Sequence, residues 1–279
     1  MTDVQLARQA WRRLEPLHAM VYFVPEAAER YAALGLDTHA GYFASRSAAF
    51  GAASPELVIA TFYNFCPALV RRALPAAWGV ATPEKVLQAR YDAAEAALRR
   101  GGIHELPGLS ETAALARRAA DRACEHPQGR PLFAAHAALP WPSDDPLMEL
   151  WHAQTLLREF RGDGHVATLL AEGVGPLEAL VLHGATGAGM PVVFLKISRA
   201  WPEEEWLTTE ERLRERGLLA GDELSAEGRA LRQRIEERTD ELALPAYAAL
   251  SDDELARLAE LARTFGRGVV DAGLLNIGG

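Results

Sequence analysis

An internal repeat is the feature that most limits what this 279-residue chain can fold into. Residues 76–139 and residues 200–250 run through the same order of features. In each copy a Trp precedes a helix that ends in Arg-Gly, and a short Gly-containing break leads through Leu-Ser into a second Arg-rich helix. Because a duplicated segment folds into the same unit twice, the repeat predicts two similar halves around a pseudo-twofold axis.

Helix signals along the chain predict a mostly helical fold. The segments Ser-Pro-Glu at 54–56 and Thr-Pro-Glu at 82–84 combine an N-capping hydroxyl with Pro at the first helical position. The apolar run 192–197 is the best strand candidate. The glycines of Gly-Asp-Gly at 162–164 predict that the preceding amphipathic helix ends there.

The order of elements in the second half is that of a winged helix. Residues 214–242 (RERGLLAGDELSAEGRALRQRIEERTDEL) resemble the end of the MarR-type winged-helix domain, in which a helix and a wing lead into a dimerisation helix. The first half follows the same plan with a degraded wing at 101–111. The resemblance implies two tandem winged-helix-like repeats, residues 1–141 and residues 142–279, that pack as a single-chain pseudo-dimer.

The whole chain also resembles an uncharacterised actinobacterial helix-turn-helix-like family. The resemblance is carried by FASRSAAFG (43–51), FYNFCPALV (62–70), LPWPSDDPLMELWHA (139–153) and RGDGHVATL (161–169). It implies a winged-helix-like fold. It transfers no catalytic residue to this chain, and no cofactor is predicted.

The charges divide unevenly between the two halves. Residues 1–141 carry 15 Lys or Arg and 13 Asp or Glu, whereas residues 142–279 carry 14 and 25. Since proteins that grip duplex DNA concentrate cations on one face, the acidic second half disfavours DNA as a partner. No apolar run approaches the roughly 18 residues of a membrane span, and the first residues lack an apolar core of signal-peptide type. We therefore expect a cytoplasmic protein without a membrane partner.

The two predicted recognition helices carry many carboxylates. Reading DNA requires Arg, Lys, Asn or Gln side chains that face base edges. The second-half candidate instead begins with three Glu at 203–205, which suit a helix N-terminus but repel phosphates. The first-half candidate has Lys85, Gln88 and Arg90, mixed with acidic residues. DNA binding that is weak or lost is the favoured interpretation.

His18 and His152 form the most informative pair of polar residues. Alignment of LEPLHAM with MELWHAQ places them at equivalent positions, so a twofold axis would bring the imidazoles face to face. Such a pair could hold a metal or a haem iron, or titrate near neutral pH, but two core histidines hydrogen-bonded to backbone are the favoured interpretation. No third ligand stands at metal-binding spacing, so no metal site is predicted. The neighbouring Tyr22 and Trp151 are included in the predicted ligand site.

Aromatic and polar side chains on short helices of the first half predict a small-molecule pocket. Tyr42 and Arg46 share one segment, and Tyr63 and Asn64 share another. Arg46 offers a guanidinium fork for a carboxylate or phosphate, and the rings suit a planar molecule. The alternative is that the rings belong to the core and that Arg46 is ion-paired. His165 completes the predicted ligand-binding residues, either as a polar contact or as an acid-base group.

These observations favour a cytoplasmic protein that binds a small aromatic or anionic molecule between its two repeats. Two alternatives stay open. One is a MarR-like, ligand-responsive transcriptional regulator. The other is an enzyme that uses His18, His152 or His165 as acid-base groups. Either a monomer or a homodimer is compatible with the sequence.

Overall fold

The structure, a computed structural model, describes residues 3–142 and 144–275. The helices and strands are α1 (Val4–Ala19), α2 (Pro25–Ala33), α3 (Thr38–Ser47), α4 (Pro55–Phe62), α5 (Pro67–Ala73), α6 (Ala76–Val80), α7 (Pro83–Arg100), α8 (Leu109–Ala123), α9 (Pro131–Ala137), α10 (Pro146–Ala171), α11 (Pro176–Gly184), α12 (Val192–Arg199), α13 (Glu203–Glu215), β1 (Leu219–Ala220), β2 (Glu223–Leu224), α14 (Ala226–Ala243) and α15 (Asp252–Asp271). Short 3₁₀ turns lie at Met20–Tyr22, Ala48–Phe50, Ile103–Glu105 and Leu244–Ala249. The predicted mostly helical fold is confirmed.

Helices α4 and α7 begin at the prolines that the sequence signals predict, although Thr82 makes no side-chain capping hydrogen bond. Ser54 Oγ accepts the backbone N–H of Leu57 at 3.2 Å, and Pro55 occupies the first helical position of α4. Ser251 and Glu254 form a reciprocal capping box at the start of α15. Because these side chains satisfy backbone donors that have no partner inside the helix, they fix where each helix begins.

The main hydrophobic core is built from both halves of the chain. α1 packs along α15, and α10 packs along α8, so the largest helix contacts join an early helix to a late one. A second, smaller cluster lies within residues 169–235, hereafter the C-terminal lobe, with Trp206 at its centre. The boundary proposed between residues 141 and 142 stays a prediction.

The apolar run 192–197 is not a strand, so that prediction was wrong. It lies in α12, where Leu195 is the buried side chain and Lys196 Nζ sits 5.1 Å from the centre of the Trp206 ring. In the described part of the chain the sheet consists of β1 and β2, which pair only with each other. Since a helix satisfies its own backbone hydrogen bonds, the run folds locally despite its β-branched residues.

The predicted break at 162–164 is also absent, and α10 runs through it. Gly164 allows a close approach rather than a turn, because a Cβ there would lie 2.8 Å from Arg130 Nη1. Arg130 donates hydrogen bonds to the carbonyl oxygens of Phe160 and Leu242 and thereby joins α10 to α14. A helical Gly costs about 1 kcal/mol relative to Ala, and burial along α10 offsets this.

A β-hairpin forms where the second-half wing is predicted. Leu219 pairs with Leu224 and Ala220 with Glu223, and Gly221 makes the turn with a φ of +66°. The corresponding first-half segment contains the 3₁₀ turn Ile103–Glu105, and residues 3–142 contain no strand. The hairpin therefore stands in the second half alone within the described residues.

The length and apolar composition of the helices show whether any of them could cross a membrane. Within the described residues, no single helix combines the length and the apolar composition needed to cross a bilayer. α10 and α11 pass only when taken together, and they are bent by 101° where they meet.

The contact between α1 and α15 depends on a glycine and gives a first prediction. A Cβ on Gly266 would lie far inside van der Waals contact of the Arg13 carbonyl oxygen. Gly266→Ala is expected to lower the free energy of unfolding by about 2 kcal/mol, because the two backbones must separate. The measurement is chemical denaturation followed by circular dichroism.

A helical glycine with space around it is the matched control. At Gly162 the nearest atom to an added Cβ is Glu159 Oε2 at 3.5 Å, an ordinary contact. Gly162→Ala is expected to leave stability unchanged or to raise it by up to about 1 kcal/mol. Equal effects at both positions would contradict the close packing of α1 on α15.

Candidate ligand site

Polar and aromatic side chains from four helices meet inside the main core. Tyr42 and Arg46 lie one turn apart on α3, and Trp151 and Arg158 lie two turns apart on one face of α10. The 3₁₀ turn after α1 contributes Tyr22. The cluster is called here the arginine–tyrosine centre, and its members are His18, Tyr22, Tyr42, Arg46, Arg90, Trp151, Arg158 and Glu159.

His18 is fully buried and holds two neighbours in place. Its Nδ1 lies 2.9 Å from Thr155 Oγ1, and its Nε2 lies 3.0 Å from the Tyr22 hydroxyl. The imidazole stacks on the Trp151 ring at a centroid distance of 5.8 Å. Burial, followed by the charges of Arg158 and Arg90, holds the pKa of His18 well below its usual value, so the ring is neutral at physiological pH.

Arg46 joins the two tyrosines to the aromatic core. Its Nη1 donates to the Tyr42 hydroxyl at 3.1 Å, and its guanidinium carbon lies 4.0 Å from the centre of the Phe62 ring. The rings of Tyr22 and Tyr42 are 5.4 Å apart. The guanidinium thus has aromatic faces around it, an arrangement in which cation–π attraction is stronger than at an exposed surface.

Carboxylates balance only part of the positive charge. Arg158 Nε donates to Glu15 at 2.8 Å, and its Nη1 donates to Glu159 at 2.7 Å. Arg46 Nη2 lies 3.9 Å from the same Glu159. Among the described residues no carboxylate forms an ion pair with Arg90, which is 1% exposed.

The protonation of neighbouring groups reflects this excess of positive charge. Burial alone raises the pKa of a carboxyl or a phenol. For Glu159, burial is outweighed by Arg158 and Arg46, and the pKa is lowered. For Tyr42, burial is outweighed by Arg46 and Arg199, and again the pKa is lowered. The centre therefore has a positive potential that stabilises negative charge.

The predicted pairing of His18 with His152 was wrong. His152 Nδ1 is hydrogen-bonded to the Tyr91 hydroxyl at 2.6 Å, and the His152 ring lies 4.7 Å from that of Trp141. Consecutive residues on a helix point about 100° apart, so Trp151 rather than His152 faces His18. Within the described residues there is also no group of three or more His, Cys, Asp or Glu that would hold a metal ion.

Tyr63 and Asn64 lie between the main core and the C-terminal lobe. The Tyr63 hydroxyl donates to the Val174 carbonyl oxygen at 2.5 Å, and Asn64 Oδ1 accepts from Arg199 Nε at 3.3 Å. Tyr63 has a φ of +60°, and Asn64 N–H bonds to the Phe62 carbonyl oxygen at 2.7 Å, which makes a strained γ-turn. Asn64 reaches the edge of the centre through Arg199, whereas Tyr63 faces the lobe.

His165 lies apart from the centre, on the side of α10 that meets α14. Its Nδ1 is 3.0 Å from Thr239 Oγ1. Burial lowers its pKa to about 4, although the Glu236 charge opposes this. Its predicted contribution to one shared site with His18 is therefore not supported by its position.

Several members of the centre escaped the sequence analysis. Arg90 lies on the face of α7 that also carries Val86, Ala93 and Ala97, so an arginine on an apolar stripe was the available signal. Arg158 and Glu159 lie about two turns beyond Trp151 on α10, the helix that already carried the predicted ligand-binding residue Trp151. Arg199, at the edge of the centre, carried no such signal, because it lies between the predicted strand at 192–197 and the next predicted helix.

Two surface cavities lie on the C-terminal lobe, away from the centre. One of about 370 Å³ is lined by Glu178, Trp201 and Thr208, among others, between α11 and α13. Another of about 290 Å³ lies beside the hairpin and is lined by Val192, Trp206 and others. Their lining residues do not include any of the predicted ligand-binding residues.

Comparison with known proteins points to a family rather than to a single relative. A family model described as a helix-turn-helix family matches residues 7–276. No curated protein and no solved structure matches the chain. The family match covers both the arginine–tyrosine centre and the hairpin of the C-terminal lobe.

The buried histidines predict loss of stability in mild acid. Burial, with a smaller effect of Arg117, lowers the pKa of His152 to about 4, whereas an unfolded chain protonates this group near pH 6.5. The unfolded state thus binds more protons between these values, and stability falls as the pH drops from about 6.5 to about 4. His152→Asn keeps an acceptor for the Tyr91 hydroxyl and is expected to reduce this slope by up to about 1.4 kcal/mol per pH unit.

Urea unfolding at a series of pH values measures the slope. His39→Asn, which replaces an exposed imidazole, is the control and is expected to leave the slope unchanged. A slope that is the same in His152→Asn and the unmodified protein would contradict a neutral, buried His152.

Proposed function

Because the chain belongs to a helix-turn-helix family, we propose that it uses this fold to bind a small aromatic or anionic molecule, with DNA binding weak or lost. The ligand is held at the arginine–tyrosine centre, within the core that the two halves share. The observation that carries the proposal is the set of guanidinium and tyrosyl groups that face one another there. Burying charged groups is costly unless partners compensate them, and the carboxylates of the centre compensate only part of its positive charge.

We also propose that the two halves are winged-helix repeats arranged as a single-chain pseudo-dimer. α10 to α13, the hairpin, α14 and α15 follow the order of a MarR-type domain. The contacts of α1 with α15 and of α10 with α8 cross between residues 1–141 and residues 142–279, as they would in a dimer with interleaved helices. The turn at Ile103–Glu105 then stands for the lost wing of the first repeat.

Weak DNA binding is supported by the side chains of α13. Glu203, Glu204 and Glu205 are all exposed in its first turn. The cations at its other end are occupied within the protein, because Arg212 and Arg216 both pair with Glu178, at 3.1 and 2.9 Å. A helix that enters a DNA groove needs cations free to contact phosphates, and these two arginines share the charge of one carboxylate.

The corresponding helix of the first half is even less suited to DNA. α7 carries a long buried face that includes Val86, Arg90 and Ala97, and it packs against α2 and α3. The face of α7 that stays open carries Glu84 beside Lys85 and Gln88, so a recognition helix placed this way would present a carboxylate to the groove together with its cation. Arg90, a DNA-reading candidate in the sequence, faces the core instead.

A ligand-responsive regulator is the second candidate, and family membership is the observation that favours it. Electrophoretic retardation of genomic duplex fragments at about 50 mM salt separates the two functions. We expect no retardation below about 100 µM protein. Replacing all three glutamates at 203–205 with Gln is expected to strengthen retardation, because three repulsive charges are removed. Retardation by the unmodified protein that weakens steeply with salt would instead establish the regulator.

Binding at the centre is tested with a panel of small aromatic probes. The probes are benzoate, phenyl phosphate, benzamide and benzyl alcohol, measured by isothermal titration calorimetry. Native mass spectrometry of the purified protein reports any ligand that it retains, and also whether it is a monomer or a homodimer. Arg46→Met is expected to raise the dissociation constant of any probe that binds about tenfold, since it removes a charged hydrogen-bond donor.

The control for this experiment is Arg12→Met, which removes the same charge from an exposed position on α1. Its affinity for the probe is expected to match that of the unmodified protein. A chain that retains no ligand and binds none of the four probes would contradict small-molecule binding.

A further inference from the structure

Arg90 is a fully buried guanidinium with no carboxylate partner among the described residues. We propose that Arg90 is the receptor for an anionic group, a carboxylate or a phosphate, of a ligand bound at the arginine–tyrosine centre. The inference rests on the small-molecule binding proposed above and narrows the ligand from aromatic or anionic to anionic.

The hydrogen bonds of Arg90 leave most of its donors unused. Its Nη2 donates to the Tyr22 hydroxyl at 3.2 Å and lies 3.4 Å from His18 Nε2. Its Nε and Nη1 are buried and find no hydrogen-bond partner among the described residues. A guanidinium has five N–H donors, and three of them belong to these two nitrogen atoms.

The charges around Arg90 show why water alone is an incomplete partner. Water would satisfy the N–H donors, but it leaves the charge itself uncompensated in a medium of low dielectric constant. The cations of the surroundings are Arg46, Arg90, Arg158 and Arg199. The carboxylates are Glu15 and Glu159, and both bind Arg158. Four cations therefore face two carboxylates, and one or two further negative charges would complete the balance.

Aromatic rings beside Arg90 limit the size and shape of the group that can reach it. The guanidinium carbon of Arg90 lies 5.2 Å from the centre of the Tyr22 ring and 5.6 Å from that of Trp151. Tyr22 and Tyr42 are half-buried, so solvent reaches the outer edge of the centre, while Arg90 lies behind them. The rings of Tyr22 and Tyr42 are in contact, at a centroid distance of 5.4 Å, so an acid group reaches Arg90 only if these side chains move apart. A compact acid group on a small apolar body fits this site best.

Matched pairs of probes test the anion directly. Benzoate and benzamide have nearly the same shape and differ in charge. The unmodified protein is expected to bind benzoate at least tenfold more tightly than benzamide, and Arg90→Met is expected to abolish that preference. Arg12→Met is again the control and is expected to preserve it.

A second measurement needs no aromatic ligand. The thermal unfolding temperature is measured in gluconate and then in acetate or phosphate at the same ionic strength. The unmodified protein is expected to unfold at a higher temperature in acetate or phosphate. Arg90→Met is expected to lose this response, and to unfold at a higher temperature than the unmodified protein in gluconate, since a buried unpaired charge has been removed.

The possible outcomes separate the two proposals. Equal affinity for benzoate and benzamide, with no anion effect on unfolding, would overturn the role of Arg90 while leaving small-molecule binding intact. Benzoate preference that persists in Arg90→Met would also overturn it. Failure of every probe, with no retained ligand, would remove the binding function itself.

Discussion

Positive charge buried between helices is the constraint on which the rest of this structure depends. Taking an ion out of water costs several kcal/mol, so each buried guanidinium must be matched by carboxylates, hydroxyls or aromatic faces. Glu15 and Glu159 match Arg158, and the tyrosines and Phe62 partly match Arg46. The residual charge sits where α1, α3, α7 and α10 meet, so the same packing that closes the core creates a place that favours an anion.

The charged residues of α13 are the basis on which we propose weak DNA binding for a chain of a helix-turn-helix family. The hairpin, the hydrophobic cluster around Trp206 and the helix order all remain. Two cations near the end of α13, Arg212 and Arg216, share one partner within the protein, the carboxylate of Glu178. Fold and partner are thus set by different residues, the fold by apolar spacing and the partner by surface charge.

Capped helices and the hairpin were predictable, because their signals are local. Ser54 before Pro55 fixes a helix start whatever lies nearby. The predictions of a strand at 192–197 and of a helix break at 162–164 were wrong for the opposite reason. The structure of these segments depends on contacts with side chains outside them, the Trp206 ring and the Arg130 guanidinium. Within the arginine–tyrosine centre, residues that share one helix face, such as Tyr42 and Arg46, could be placed together from the sequence. Contacts between helices distant in sequence, such as those that place Arg90 beside Tyr22, have no local signal. Whether the gathered residues bind a ligand stays a prediction.

The γ-turn at Tyr63 has a mechanical consequence for the C-terminal lobe. Four hydrogen bonds cross the junction at residues 63–66: Tyr63 to Val174 at 2.5 Å, Trp201 to Asn64 at 2.9 Å, Cys66 to Arg199 at 3.0 Å, and Arg199 to Asn64 at 3.3 Å. A non-glycine residue with positive φ is under strain of order 1–3 kcal/mol, which these bonds hold in place. A rotation of the C-terminal lobe would have to break these hydrogen bonds together. The same rotation would release the backbone strain at Tyr63, so part of the energy needed to move the lobe is stored at the junction.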